Sequence, residues 1–498
     1  MYQKYVLSID QGTTGSRVII FNHRGEIVNS AYHEIKQYYP KLGWMEHDPQ
    51  EYIKSIEICG KEALQKSGIS AEQIEAIGIT NQRETIVLWD KETGKPVYNA
   101  IVWYCKRTSD YCNDLKSKGL EKIIKEKTGL VLDTYFSASK IKWIIDNIDG
   151  VKEKIKKGTI CMGNLDSWII WNLSGGKYHV TDYSNASMTM LLNIHTLDWD
   201  DELLEIFGID RNIMPKLMPT SGIMAYTAKN SFLEKEIPIS GVVGDLQSTL
   251  FGQCCYKTGM AKVVYGTGVG FIMNIGSKPV MSNAGLLTTV LCVMNKKIHY
   301  AMEGHISIGA AVIQWLRDGL KIINDAKECN IFAEKVADTG NVYFVPAFTG
   351  LCTPYWNSDA RGLIIGITGG TTREHICRAA EESIAYQVKD NIDAIIADSG
   401  KKLKSLRVDG GATKSDFLMQ FQSDILGIPV ERPKVIEMAA LGAAYLAGLG
   451  TGYWESFEDL EKNWELEKRY VPTMKESKRL ELYEGWKRAV VRSFDWEQ

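Results

Sequence analysis

No run of apolar residues in this 498-residue chain approaches the roughly 20 needed to cross a bilayer, and the first residues carry no signal-type apolar stretch. The expectation is a cytoplasmic protein without membrane insertion. Ten cysteines are present, yet none forms a CxxC pair; Cys254 and Cys255 adjoin and the rest are scattered. That spacing excludes a zinc ribbon and a disulfide framework and predicts reduced, mostly buried thiols. An excess of one charge is missing too. With 58 Lys and Arg against 61 Asp and Glu, the net charge is -3, which gives no reason to expect nucleic acid or an acidic membrane as a partner. No segment is of low complexity. The two familiar phosphate-binding patterns, GxxxxGK[ST] and a strand-borne GxGxxG, are absent from the glycine turns described below, which excludes P-loop and dinucleotide-binding readings there.

Hydrophobic residues make up 45% of the chain and charged residues 24%, the balance of a soluble globular protein. The length exceeds what one core serves, so two domains are expected, residues 1–252 and 253–498. Three stretches share one design. Tyr5 to Phe21 reads YVLSIDQGTTGSRVIIF, two β-rich runs around a turn of small residues. Met260 to Ile275 repeats it around Gly266, Thr267 and Gly268, and Arg407 to Ala412, RVDGGA, ends a third apolar run in paired glycines. Successive backbone N–H groups in such turns make anion-binding concavities. Asp10 ends the first strand where a carboxylate can meet a phosphate-bound metal ion, and Arg17 adds a cation. Three such turns suggest one nucleotide held between two related lobes; an ordinary polar hairpin is the other reading of the first.

Elsewhere Asp48 is expected to cap a helix over Pro49–Lys66, with Pro at its first position. Ile74–Thr80 reads as a buried strand ending in Asn81-Gln82-Arg83-Glu84-Thr85, and polar residues at such an end are where open α/β sheets bind ligands. Ser137 is expected to cap the next long helix, Met162–Trp171 to be helical, and Thr181–Ser187 to be a polar loop. Ile239–Val243 is a strand ending at Gly244-Asp245. Strands alternate with helices throughout, so the class is α/β.

In their order and spacing, DQGTTGSR, GITNQRET, YNAIVW, YFSASKIKWIIDN, VTDYSNAS, VVGDLQSTLFGQ, YGTG, PYWNSDARG, RVDGGA and LGAAYLAG resemble the FGGY carbohydrate-kinase family nearly end to end, and within it the glycerol kinases. The resemblance implies a two-lobed actin-like ATPase fold, with a duplicated ribonuclease-H-like core and the nucleotide in the interlobe cleft. It implies ATP and Mg2+ as cofactors, a small-molecule polyol as acceptor, and assembly as a homodimer or homotetramer. The expected activity is ATP-dependent phosphorylation of a primary hydroxyl of glycerol to sn-glycerol 3-phosphate. Asp245 matches the general base, and a carboxylate is suited to take the proton of an attacking hydroxyl. Arg83, Glu84 and Tyr135 match residues that hold polyol hydroxyls, and Trp103 matches an aromatic wall. Helix capping by Asp245, a buried ion pair of Arg83 and Glu84, and plain packing of Trp103 are the structural alternatives. Thr13, Thr14, Gly15 and Arg17 match the first phosphate turn, Gly266 and Thr267 the second, and Ala310, Gln314, Gly411, Ala412 and Ser415 positions around the nucleotide. Asp10 matches the magnesium carboxylate.

The chain departs from the family pattern at several of these places. Leu246 stands where a glutamine is usual, Gly270 where a phenylalanine is usual, and His305 where a small residue is usual; Ala310 replaces a glycine and Ser415 an asparagine. One hydrogen-bonding arm is lost and one wall thinned, so another small polyol or ketose, such as erythritol, threitol or dihydroxyacetone, is the alternative acceptor. An ATPase of the same superfamily that uses hydrolysis only to move its lobes is the alternative from another class; it would have no need of Arg83, Glu84, Tyr135 and Asp245 together.

Overall fold

A computed structural model describes residues 3–435 and 437–497. Two large mixed sheets repeat one scheme. In the first, Tyr5–Gln11 pairs antiparallel with Gly15–Phe21, which pairs antiparallel with Ile27–Glu34. On its other side Tyr5–Gln11 pairs parallel with Ile74–Asn81, and that strand with Pro238–Gly244. In the second, Ala261–Tyr265 pairs antiparallel with Val269–Gly276, and that with Lys297–Ile306. Its other side pairs parallel with Leu406–Asp409, and that strand with Val430–Pro433. The same order of hairpin strands and parallel neighbours is therefore folded twice, with a glycine turn at the matching place in each sheet. Most residues of the inner strands are buried, as strands covered on both faces require.

Two helices fill the space between the sheets. Asp245–Gly252 follows the strand Pro238–Gly244 directly, and Met438–Thr451 comes from the far end of the chain. The second is almost entirely Ala, Gly and Leu, and close approach is the reason. A Cβ on Gly442 would fall 1.9 Å from the carbonyl oxygen of Ser248, and one on Gly78 would fall 2.3 Å from that of Ala443. Serines tie the helix down: Ser8 Oγ donates to the Ala440 carbonyl at 2.7 Å and Ser240 Oγ to that of Ala447 at 2.9 Å. A helix from the C-terminal half thus lies against the N-terminal sheet and the helix that begins with Asp245.

The capped helix forms over Pro49–Ser67, with the Asp48 carboxylate accepting from the Gln50 amide. Three local expectations are corrected. Met162–Asn164 belongs to a strand, Ile160–Asn164, and the helix starts only at Leu165. The strand's five residues, ICMGN, are all buried and pair with Ile86–Asp90, and a run buried on both faces carries no periodicity to tell strand from helix. Thr181–Ser187 is not a loop: Val180–Asp182 is a strand, and Asp182 caps a helical turn over Tyr183–Ala186 through the Ser184 and Asn185 amides. Ser137 is the first helical residue, after Phe136, and its hydroxyl donates to the Glu84 carbonyl at 3.2 Å instead of capping. All ten cysteines are unpaired thiols and nine are buried. Among the described residues no helix is long and apolar enough to cross a membrane.

Candidate active site

The strands Ile74–Asn81 and Pro238–Gly244 run parallel, with Asn81 in register with Gly244. Their ends therefore deliver Arg83 and Glu84 from one and Asp245 from the other to a single place, the carboxyl edge of the sheet. Here a cavity of about 800 Å³ opens between the two sheets; Thr13, Arg83, Glu84, Trp103, Tyr135, Asp245 and Leu246 all line it. Seven of the expected residues are thus brought together from segments up to 233 positions apart in sequence (13 to 246).

Arg83 is the hub. Its side chain is 7% exposed and its Nη1 donates to both oxygens of Glu303 at 2.8 Å. Nη1 also donates to Gln247 Oε1 at 3.1 Å, while Nε lies 3.4 Å from Asp245 and 3.6 Å from Glu84. Glu84 holds a left-handed backbone at φ 60°, a costly conformation for a residue with a side chain. Its Oε1 is buried without a hydrogen-bond partner. Burial pushes the Glu84 carboxyl up to about 8, against the pull of Arg83. An orphaned buried oxygen beside a charged donor suits a ligand hydroxyl, which can give to one and accept from the other. The Asp245 carboxyl is 46% exposed and faces the cleft. The surrounding walls hold its pKa above the ordinary carboxylate value and Arg83 opposes them. Trp103 and Tyr135 meet edge to face at 5.3 Å and form the apolar side.

The first glycine turn reaches this cavity through Thr13, and the second follows the strand Ala261–Tyr265, whose Val264 lines it. Each closes with one backbone bond, Gly12 N–H to the Gly15 carbonyl at 3.0 Å and Gly266 N–H to that of Gly268 at 3.0 Å. Asp10 is in register with Arg17, which forms an ion pair with Glu437. Burial, with the charge of Asp245 adding to it, pushes Asp10 up to about 7. The Thr14 hydroxyl meets that of Tyr32 at 3.3 Å. Ala310 N–H donates to the Gly266 carbonyl at 2.9 Å and Gly309 N–H to that of Thr267 at 2.8 Å, so Ala310 is fastened to the second turn. Gln314 is exposed one helical turn further on, and Gly411 and Ala412 open a short turn at the end of the neighbouring strand. Ser415 is buried and already used: it accepts from Leu418 N–H at 3.0 Å as a helix cap and donates to Asn330 at 2.8 Å.

Two residues outside the expected set matter. Glu303, 1% exposed, is the carboxylate that anchors Arg83. A lone acid in the apolar run YAMEGHI was the available signal. Lys140 is fully buried and donates to the carbonyls of Tyr135 and Phe136 at 2.5 and 2.9 Å, which fixes the segment that carries Tyr135.

Residues 5–252 match the N-terminal domain model of the FGGY family of carbohydrate kinases, and residues 261–451 match the C-terminal domain model. The chain is 57% identical to glycerol kinase 2 of Thermotoga maritima over 495 residues, covering 99% of this chain and 100% of that protein. It is 56% identical to the glycerol kinase of Caldanaerobacter subterraneus subsp. tengcongensis, covering 99% of each. Among solved structures, Plasmodium falciparum glycerol kinase with ADP superposes with a TM-score of 0.94 at 38% identity, covering 99% of this chain and 98% of that one.

Proposed function

The chain belongs to the FGGY family of carbohydrate kinases, and on that premise we propose that its cleft transfers the γ-phosphoryl group of ATP to a primary hydroxyl of glycerol, giving sn-glycerol 3-phosphate and ADP. The observation that carries this reading is the convergence of Asp245, Arg83 and the orphaned Glu84 oxygen in one cleft that Thr13 of the first glycine turn also lines.

Arg83 donates to one acceptor hydroxyl and Glu84 accepts from it, while the Trp103 and Tyr135 rings take the carbon chain. Asp245 accepts the proton of the attacking hydroxyl as the oxygen bonds to the γ-phosphorus and the bond to the β-phosphate oxygen breaks. The amides of the turns at Gly12–Gly15 and Gly266–Gly268 hold the phosphates. Arg17 adds positive charge once its pairing with Glu437 loosens. Ala310, Gln314, Gly411 and Ala412 border the nucleotide; Ser415 shapes that wall from beneath through its helix cap.

Mg2+ fits the residues present. Among the described residues no group of three or more His, Cys, Asp or Glu is assembled for a metal ion. Magnesium typically keeps several waters and takes one or two carboxylates together with substrate phosphates. Asp10, raised by burial and by neighbouring carboxylates, is the residue that would hold it, through water. When bound, the ion neutralises charge on the phosphates.

The protein is read as cytoplasmic and as a homodimer or homotetramer. The test of the function is ADP release by the purified chain with Mg2+ and ATP, with and without glycerol. Turnover should require glycerol and give a product phosphorylated at the primary carbon. Equal ATP turnover without any acceptor would identify a plain ATPase instead.

A further inference from the structure

Gly270 stands second in the strand Val269–Gly276, where a glycine needs a reason. It pairs with Val264 on one side and His305 on the other. Its φ is not in the left-handed region, so the backbone does not demand glycine. Crowding does not demand it either: a Cβ there would have one neighbour within 4 Å, Leu246 Cδ1 at 3.5 Å, an ordinary contact. The missing side chain leaves an alcove on the cavity that holds Arg83, Glu84 and Asp245, and Leu246 and His305 line the same cavity.

The alcove has a definite chemistry. Leu246, next to the base, supplies an apolar wall with neither donor nor acceptor. His305 is exposed to the cleft, and its ring makes no hydrogen bond among the described residues. Its backbone is clamped on both sides by the Thr353 hydroxyl, which accepts from His305 N–H at 3.0 Å and donates to its carbonyl at 2.9 Å. The enclosing cleft walls and nearby Arg83 hold the imidazole below its ordinary pKa, so at neutral pH it offers one donor and one acceptor. Residues two apart on a strand share a face and lie about 7 Å apart. His305 therefore stands that far along the same face from Glu303, which anchors Arg83. A three-carbon acceptor held by Arg83 and Glu84 leaves the alcove to water. A fourth carbon has Leu246 to lie on and an imidazole to meet its hydroxyl.

We propose that this alcove is an acceptor subsite that admits four-carbon polyols, opened by Gly270 and read by His305, so that the enzyme phosphorylates tetritols as well as glycerol. This rests on the kinase reading above. The step is unchanged: a tetritol primary oxygen bonds to the γ-phosphorus, the bond to the β-phosphate oxygen breaks, ADP leaves and the hydroxyl proton goes to Asp245.

The test uses the full chain with Mg2+ and ATP and measures kcat/KM for glycerol, erythritol and threitol in wild type, Gly270→Val and His305→Ala. The tetritol-to-glycerol ratio is read within each preparation, so it does not depend on how much protein is folded. Wild type should turn over at least one tetritol within about 100-fold of glycerol, and each variant should lower the ratio about tenfold, chiefly through tetritol KM. Glycerol turnover without tetritol turnover, or ratios that move less than threefold in both variants, overturns the subsite and leaves the kinase reading intact. No acceptor-dependent turnover at all overturns both.

Discussion

The indole N–H of Trp103 donates to the hydroxyl of Thr13 across 3.0 Å, which joins the aromatic wall of the acceptor site to the first glycine turn. Thr13 in turn gives its own proton to Gln82 Oε1 at 3.1 Å. Gln82 Nε2 donates to the Gly12 carbonyl at 3.3 Å and the Tyr52 hydroxyl at 3.4 Å, and Tyr52 meets His47 Nδ1 at 2.5 Å. In this network the Thr13 hydroxyl has no proton left for a phosphate. On the proposed function the turn would then grip a phosphate through its amides, with Thr13 serving as a link.

That link predicts coupling between the two substrates. Trp103→Phe keeps an aromatic ring at the wall but removes the N–H together with part of the indole's bulk, and a net hydrogen bond contributes about 0.5–1.5 kcal/mol. Glycerol should tighten binding of a nonhydrolysable ATP analogue in wild type, and should do so several-fold less in Trp103→Phe. Calorimetric titrations with and without glycerol measure both. The same enhancement in the two proteins would remove the link from the mechanism.

On the proposed function Asp245 serves the acceptor and Thr267 the phosphates, so their variants should fail differently. Asp245→Asn keeps the shape and loses the base, so kcat should fall about 10²–10⁴-fold with binding of the ATP analogue preserved. Thr267 is exposed at the second turn, and its carbonyl is taken by Gly309 and Ala311 N–H groups. Thr267→Val should raise the KM for ATP and leave that for glycerol nearly unchanged. Steady-state kinetics in both substrates separate the outcomes; an Asp245→Asn enzyme with more than half of wild-type kcat would dismiss the base.

The sequence disclosed those parts of the fold and site that are local. Asp48 before Pro49 announces its helix because the cap and the helix start are neighbours, and the glycine turns announce themselves because strand, turn and strand are contiguous. Ile160–Asn164 could not be told from helix, since burial on both faces erases the period. Glu303 was unreadable as a partner of Arg83 because the pair is 220 positions apart and only the meeting of two sheets creates it. Ser415 was expected at the nucleotide; that its hydroxyl is committed to Leu418 and Asn330 follows from packing that no local pattern reveals.

Glu381 should make the stability of this chain depend on pH. It sits in the long helix Arg373–Ser399, 3% exposed, and burial pushes its carboxyl up to about 8, although Cys329 and Ser415 beside it pull the other way. The ordinary glutamate value is 4.5, so between 4.5 and about 8 the unfolded chain carries a charge there that the folded chain does not. The folded-state pKa is raised, and the sign follows: stability is fully present below 4.5 and is lost progressively as the pH rises towards about 8. Glu381→Gln keeps the shape and cannot ionise, so it removes this loss. Its melting temperature should exceed that of wild type by more at pH 8 than at pH 5, the difference being at least about 2 °C. Thermal scans of both proteins at the two pH values decide it; an equal offset at pH 5 and pH 8 would mean that Glu381 is ionised in the folded protein and has found a counter-charge or water that its burial conceals.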